Sequence, residues 1–153
     1  MVKSPPQADE PSILHMLHRV SQHAEQLFAH SIDSTGLTAR QLIVLDAVFR
    51  LDRPSQTDIC AATGIDRSTL ADIARRLVGK GMLARRRTRE DARAYAVRLT
   101  EVGRQALSRA LPAVLAVDQQ LLSALPPSER EGFTSALRRI LETAHRRGNG
   151  PNA

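Results

Sequence analysis

Partway between residues 55 and 99 the hydrophobic period of the chain changes, and that change constrains the fold more than any other feature. Ser55 and Asp58 have the spacing of a helix cap, opening a short helix that ends at Thr63-Gly64. Asp66 can cap a second helix, with Leu70, Ile73 and Leu77 on one face, that Gly79 and Gly81 bring to a stop. Beyond the glycines the spacing of three and four gives way to alternation. Residues 82–89 read as one strand, residues 94–99 as another, and Glu90-Asp91-Ala92-Arg93 as the polar tip between them. Short helix, glycine turn, capped helix and hairpin, in that order, describe a winged helix-turn-helix, whose second helix enters the DNA major groove. Two helices joined near a glycine occur in many all-helical cores, so the basic hairpin directly after them decides the reading.

Helical spacing surrounds this unit. After a proline-rich leader over residues 1–11, expected to be disordered, Ser12 can cap a long amphipathic helix through residue 32. Thr38 and Gln41 form a capping box for a helix reaching Phe49, with Leu42, Leu45 and Phe49 on one face. After Thr100 a long helix runs towards Leu125, with Pro112 predicted to bend it. Pro126-Pro127 ends it, and Ser128 with Glu131 repeats the capping pattern for a last helix carrying Phe133, Leu137, Ile140 and Leu141. The expectation is a mainly α chain with a small β-hairpin wing: a single domain over 12–147 and a tail at 148–153. Within it the winged helix-turn-helix (38–99) is flanked by N- and C-terminal dimerisation helices (12–32 and 100–147), whose apolar stripes one small domain can scarcely cover.

Charge is concentrated where the hairpin lies. Lys+Arg is 22 against Asp+Glu 16, for a net charge of +6. Residues 66–98 hold ten bases and four acids, the entire excess of the chain, which fits a surface that meets a polyanion. Only Lys3 and Lys80 are lysines; the remaining bases are arginines, whose planar fork suits phosphates and guanine edges.

Other classes find little support. The apolar run at 110–117 is far short of the ~20 residues that cross a bilayer, so no membrane partner is expected. Residues 1–12 hold prolines and acids where a secretory signal needs an apolar stretch, and Cys60 is a single cysteine, so a cytoplasmic location is expected. Cys60 reads as an inert thiol packed beside the second helix of the pair. Glycine-rich phosphate loops, nucleophile elbows and paired carboxylates in apolar settings are absent, so no catalytic residue or cofactor is expected. His15, His18, His23 and His30 lack metal-ligand spacing, and no metal is expected either.

Residues 55–87 (SQTDICAATGIDRSTLADIARRLVGKGMLARRR) and 90–103 (EDARAYAVRLTEVG) resemble the multiple antibiotic resistance regulator (MarR) family of bacterial transcription factors. The family's wing carries an aspartate and an arginine two residues apart, then a Leu-Thr pair, and these fall on Asp91, Arg93, Leu99 and Thr100. Ala92 stands where many relatives have a second arginine. The flanking helices match as well, so the resemblance covers nearly the whole chain. It implies a homodimer holding two winged domains over a pseudo-palindromic operator in double-stranded DNA, acting as a repressor released by a small molecule.

Residue by residue, the resemblance puts Arg67, Ser68 and Thr69 against base edges, with Arg75 and Arg76 one to two turns further along. On the hairpin, Arg87 and Arg93 are expected to reach the DNA, Arg93 from the tip into the minor groove, while Asp91 orients the wing through an ion pair. An anionic organic effector is expected, with His15, Arg19, His23 and Arg40 as candidates for its clamp. The alternative is an architectural DNA-binding protein that answers to no effector.

Overall fold

Side-chain caps set where most of the helices begin. In the computed structural model, which describes residues 11–32, 36–87 and 95–148, the Ser12 hydroxyl accepts the His15 N–H at the head of α1 (Ile13–Ser31). Thr38 and Gln41 close a reciprocal capping box on α2 (Ala39–Leu51), and Ser55 and Asp58 do the same for α3 (Gln56–Thr63). Asp66 caps α4 (Arg67–Gly79) and Thr100 caps α5 (Glu101–Ser123). The last helix, α6 (Pro127–Gly148), departs from expectation by starting at Pro127 rather than after Ser128. A proline has no N–H to leave unsatisfied and a φ already suited to the first helical position.

Strands β1 (Leu83–Arg87) and β2 (Tyr95–Leu99) pair antiparallel, with Leu83 opposite Leu99 and Arg87 opposite Tyr95. An isolated bridge between Ser55 and Ala96 ties β2 to the start of α3, and the Val97 N–H donates to the Pro54 carbonyl at 3.1 Å. Gly79 lies inside α4; the chain turns at Gly81, whose φ of +70° suits a residue without a Cβ. Pro112 lies within α5, which runs through it as a single helix.

Two apolar clusters share α2. The first joins α2, α3, α4 and the hairpin through Val44, Leu45, Ile59, Leu70, Leu77 and Val97, with Cys60 half-buried against it. The second joins α1, α2 and α5 through Phe28, Leu42, Ala110, Ala113 and Val117. Helix α2 therefore connects the helix-turn-helix lobe to the long helices. The first half of α1 and most of α6 lie outside both clusters: Leu14 is 80% exposed and Leu141 66%.

Candidate nucleic-acid interface

The turn between α3 and α4 is built around Gly64, whose φ of +71° ends α3 while its N–H bonds back to the Cys60 carbonyl. Two residues later the Asp66 carboxylate accepts the Thr69 N–H at 2.9 Å and the Ser68 hydroxyl at 2.8 Å. Those hydrogen bonds, Thr69's first, hold its pKa well below the usual carboxylate range. The first turn of α4 is thus fixed with Arg67 and Ser68 exposed and Thr69 half-buried. Arg67 Nη2 donates to the Thr57 hydroxyl at 3.1 Å, joining the exposed first turns of α3 and α4. Leu70, Ile73, Ala74 and Leu77 bury the opposite face of α4. Sequence reasoning brings Arg67, Ser68 and Thr69 together, and they do share one helix start.

Arg75 and Arg76 both pair with Asp72, Arg76 at 3.1 Å. The Arg75 hydrogen bond, followed by the Arg76 charge, holds Asp72 below its ordinary pKa. Both guanidiniums remain largely exposed, so each keeps donors for an outside acceptor. On the hairpin, Leu83, Val97 and Leu99 fasten the base to the core while Arg85, Arg86 and Arg98 are exposed. Arg87 closes β1 opposite Tyr95. Asp91 and Arg93, the proposed wing residues, lie outside the described residues.

Of the four clamp candidates, His15, Arg19 and His23 lie exposed along α1. Arg40 stands apart from them at the start of α2, where its Nε meets Glu25 Oε1 at 3.2 Å. It also borders a concavity shared with Ser68, Thr69 and Arg76 of α4, a placement invisible in sequence because it depends on how α2 packs on α4.

A second opening, a cavity of about 500 Å³ between α2 and α5, is walled by Leu42, Ile43, Phe49, Leu107, Leu111 and Val114. The Asp46–Arg50 pair, at 2.7 Å, and Arg104 with Ser108 supply its polar edge. Phe49 was expected on the buried face of α2 with Leu42 and Leu45; it is 58% exposed and lines this cavity instead. Leu42, Val44, Leu45, Ala47 and Val48 take the buried apolar positions of α2. Among the described residues no group of three or more His, Cys, Asp or Glu side chains is placed to hold a metal.

Comparison with known proteins bears directly on this geometry. The sequence model of the MarR family matches residues 35–94. A putative transcriptional regulatory protein for the hcr operon of Thauera aromatica is 30% identical over 125 residues, covering 81% of this chain and 75% of that protein. The chain belongs to the MarR family. Its MarR fold superposes on BpsR of Bordetella bronchiseptica with a TM-score of 0.78 at 30% identity, over 84% of this chain and 97% of BpsR. That structure concerns the regulation of BpsR's DNA binding by 6-hydroxynicotinic acid. The transcriptional repressor CouR, solved on a 23-mer DNA duplex, matches with a TM-score of 0.75 at 28% identity, over 84% of this chain and 92% of CouR. As a MarR-family chain the protein is a winged-helix transcriptional regulator, and no helix among its described residues is long and apolar enough to cross a membrane.

Proposed function

We propose that this regulator is a ligand-responsive repressor that acts as a homodimer on a pseudo-palindromic DNA operator. The observation that carries the reading is the start of α4: an exposed, capped helix turn presenting Arg67 and Ser68, with Thr69 beside them, backed by Arg75 and Arg76 and followed by an arginine-bearing hairpin. A helix about 10–12 Å across fits a major groove about 12 Å wide, and arginine is the commonest reader of guanine edges there. Arg87 and Arg93 extend the contact along the wing, Arg93 into the minor groove, with Asp91 orienting the tip. CouR, a repressor of similar fold solved on a DNA duplex, supports a DNA-binding role for this chain.

Dimerisation is proposed from what a single chain leaves uncovered. Ile13, Leu14, Leu17 and Val20 on α1, with Phe133, Ile140 and Leu141 on α6, are exposed apolar side chains on helices that a second copy would cover. Residues 12–32 and 100–147 then form the dimerisation part and residues 38–99 the DNA-binding part of one domain.

The effector is proposed to be an anionic organic molecule seated between α2 and α5. The cavity falls within the ~300–1,000 Å³ usual for small ligands, and its walls are apolar with a few charged groups at the edge. The exposed side chains of His15, Arg19 and His23 serve such a clamp only once the partner's surface is brought against α1. BpsR, whose DNA binding responds to 6-hydroxynicotinic acid, supports an acidic ligand.

Selecting bound fragments from the source genome tests the reading. A repressor retains a few fragments with two-fold-related half-sites in excess mixed-sequence DNA, binding them as a dimer. An architectural protein, the alternative, retains none once competitor is added.

A further inference from the structure

The start of α2 faces the flank of α4 across a concavity of about 400 Å³, bordered by Thr38, Arg40, Ser68, Thr69, Asp72 and Arg76. When α4 fills a major groove hardly wider than the helix itself, a sugar-phosphate strand must run along each of its sides. The flank bearing Ser68, Thr69 and Arg76 looks across this concavity to Arg40. A strand on that side would run over this concavity, past the start of α2.

Resting on the DNA-binding reading above, we infer that Arg40 binds a backbone phosphate of the DNA strand that flanks α4, one contact per protomer. Its guanidinium is 57% exposed, and among the described residues only Nε is engaged, by Glu25. The two terminal nitrogens remain for a phosphate fork, which Arg76 completes from the opposite wall. Asp72, the one acid bordering the concavity among the described residues, is already shared by Arg75 and Arg76, so the space stays positive. Two amides at the head of α2 are already engaged, the Gln41 N–H by the Thr38 hydroxyl and the Thr38 N–H by the Gln41 side chain, and neither supplies this contact. The side chain of Arg40 does. An exposed ion pair such as Arg40–Glu25 holds weakly and yields to a phosphate.

The test titrates wild type, Arg40→Ala and Arg40→Lys against a mixed-sequence duplex and against a genome-selected fragment, between about 50 and 200 mM salt. Phosphate contacts carry no sequence information, so Arg40→Ala should weaken both complexes alike, by about five- to twenty-fold at low salt. The slope of log affinity against log salt should become shallower by about one per protomer, while Arg40→Lys keeps most of the affinity. Unchanged affinity and slope in a folded Arg40→Ala protein, beside a wild type that binds both duplexes, overturns this inference alone. A loss confined to the selected fragment makes Arg40 a reader of bases and overturns it too. A wild type that binds neither duplex overturns the DNA-binding reading and the inference with it.

Discussion

Gly103 on α5 lies so close beneath Met82 that a Cβ there would collide with the Met82 carbonyl oxygen and sit 2.9 Å from Leu99 Cδ1. The same carbonyl accepts the Thr100 N–H at 3.1 Å, and the Thr100 hydroxyl donates to the Gly81 carbonyl at 2.6 Å. The long helix is thus clasped against the connector between α4 and the wing. Any side chain at 103 must push that connector away, because backbone rather than a flexible tip blocks the space. Gly103→Ala is expected to lose about 1–3 kcal/mol of stability and lower Tm by roughly 3–10 °C in calorimetry. DNA affinity should fall as well, since the displaced connector positions both α4 and β1.

Acid should loosen the helix-turn-helix. Asp66 is held below its ordinary pKa by Thr69 and Ser68, and Asp58 by Ser55. A carboxylate depressed on folding takes up protons more readily in the unfolded chain. Its stabilisation is full above about pH 4, the ordinary carboxylate value, and is lost as pH falls through the folded value. Tm followed against pH should therefore drop below about pH 4. Asparagine also caps helices well but carries no titrating charge, so Asp66→Asn should flatten the drop while costing little at neutral pH.

How far the sequence reached depends on whether the cause was local. Ser12, Thr38, Ser55, Asp66 and Thr100 each cap a helix within three residues of themselves, and all five starts were legible. The start of α6 falls two residues before the one its cap pattern predicts, because Ser128 and Glu131 imitate a cap while Pro127 already fits the first turn. Phe49 failed for a different reason: α2 packs on two clusters at once, and periodicity along one helix does not say which face meets solvent between them. Sequence likewise gives no reason to separate Arg40 from His15, Arg19 and His23 of α1. Only the packing of α2 on α4 brings it to Ser68 and Arg76.

Asp72 restrains two arginines of α4, the helix proposed to face DNA, so neutralising it should strengthen DNA binding. Asp72→Asn releases Arg75 and Arg76 and removes a negative charge from the surface proposed to meet phosphate. Affinity for mixed-sequence duplex should rise several-fold, with a steeper salt dependence as more counterions are displaced. Anisotropy titrations at two salt concentrations check this. A fall in Tm with no gain in affinity would make the shared carboxylate a purely structural brace.

The cavity between α2 and α5 yields the last prediction. Ligand there touches both the helix that carries the helix-turn-helix core and the helix clasped to the wing, so filling it fixes their relative tilt. Arg50 is paired with Asp46 and Arg104 with Glu101, at 2.7 and 3.0 Å. An incoming carboxylate can exchange with either acid, so aromatic acids should raise Tm more than their amides do. 6-Hydroxynicotinic acid, which acts on BpsR, is a natural first probe. Leu111 is 55% exposed and lines the opening, so Leu111→Trp should fill the space at little cost to folding. The chain has no tryptophan of its own, and the new indole reports occupancy by its fluorescence. The variant is expected to bind DNA like the wild type but to lose both the acid-induced rise in Tm and the acid-induced release. If acids still release DNA from Leu111→Trp, the effector sits elsewhere, and His15, Arg19 and His23 on α1 become the residues to change next.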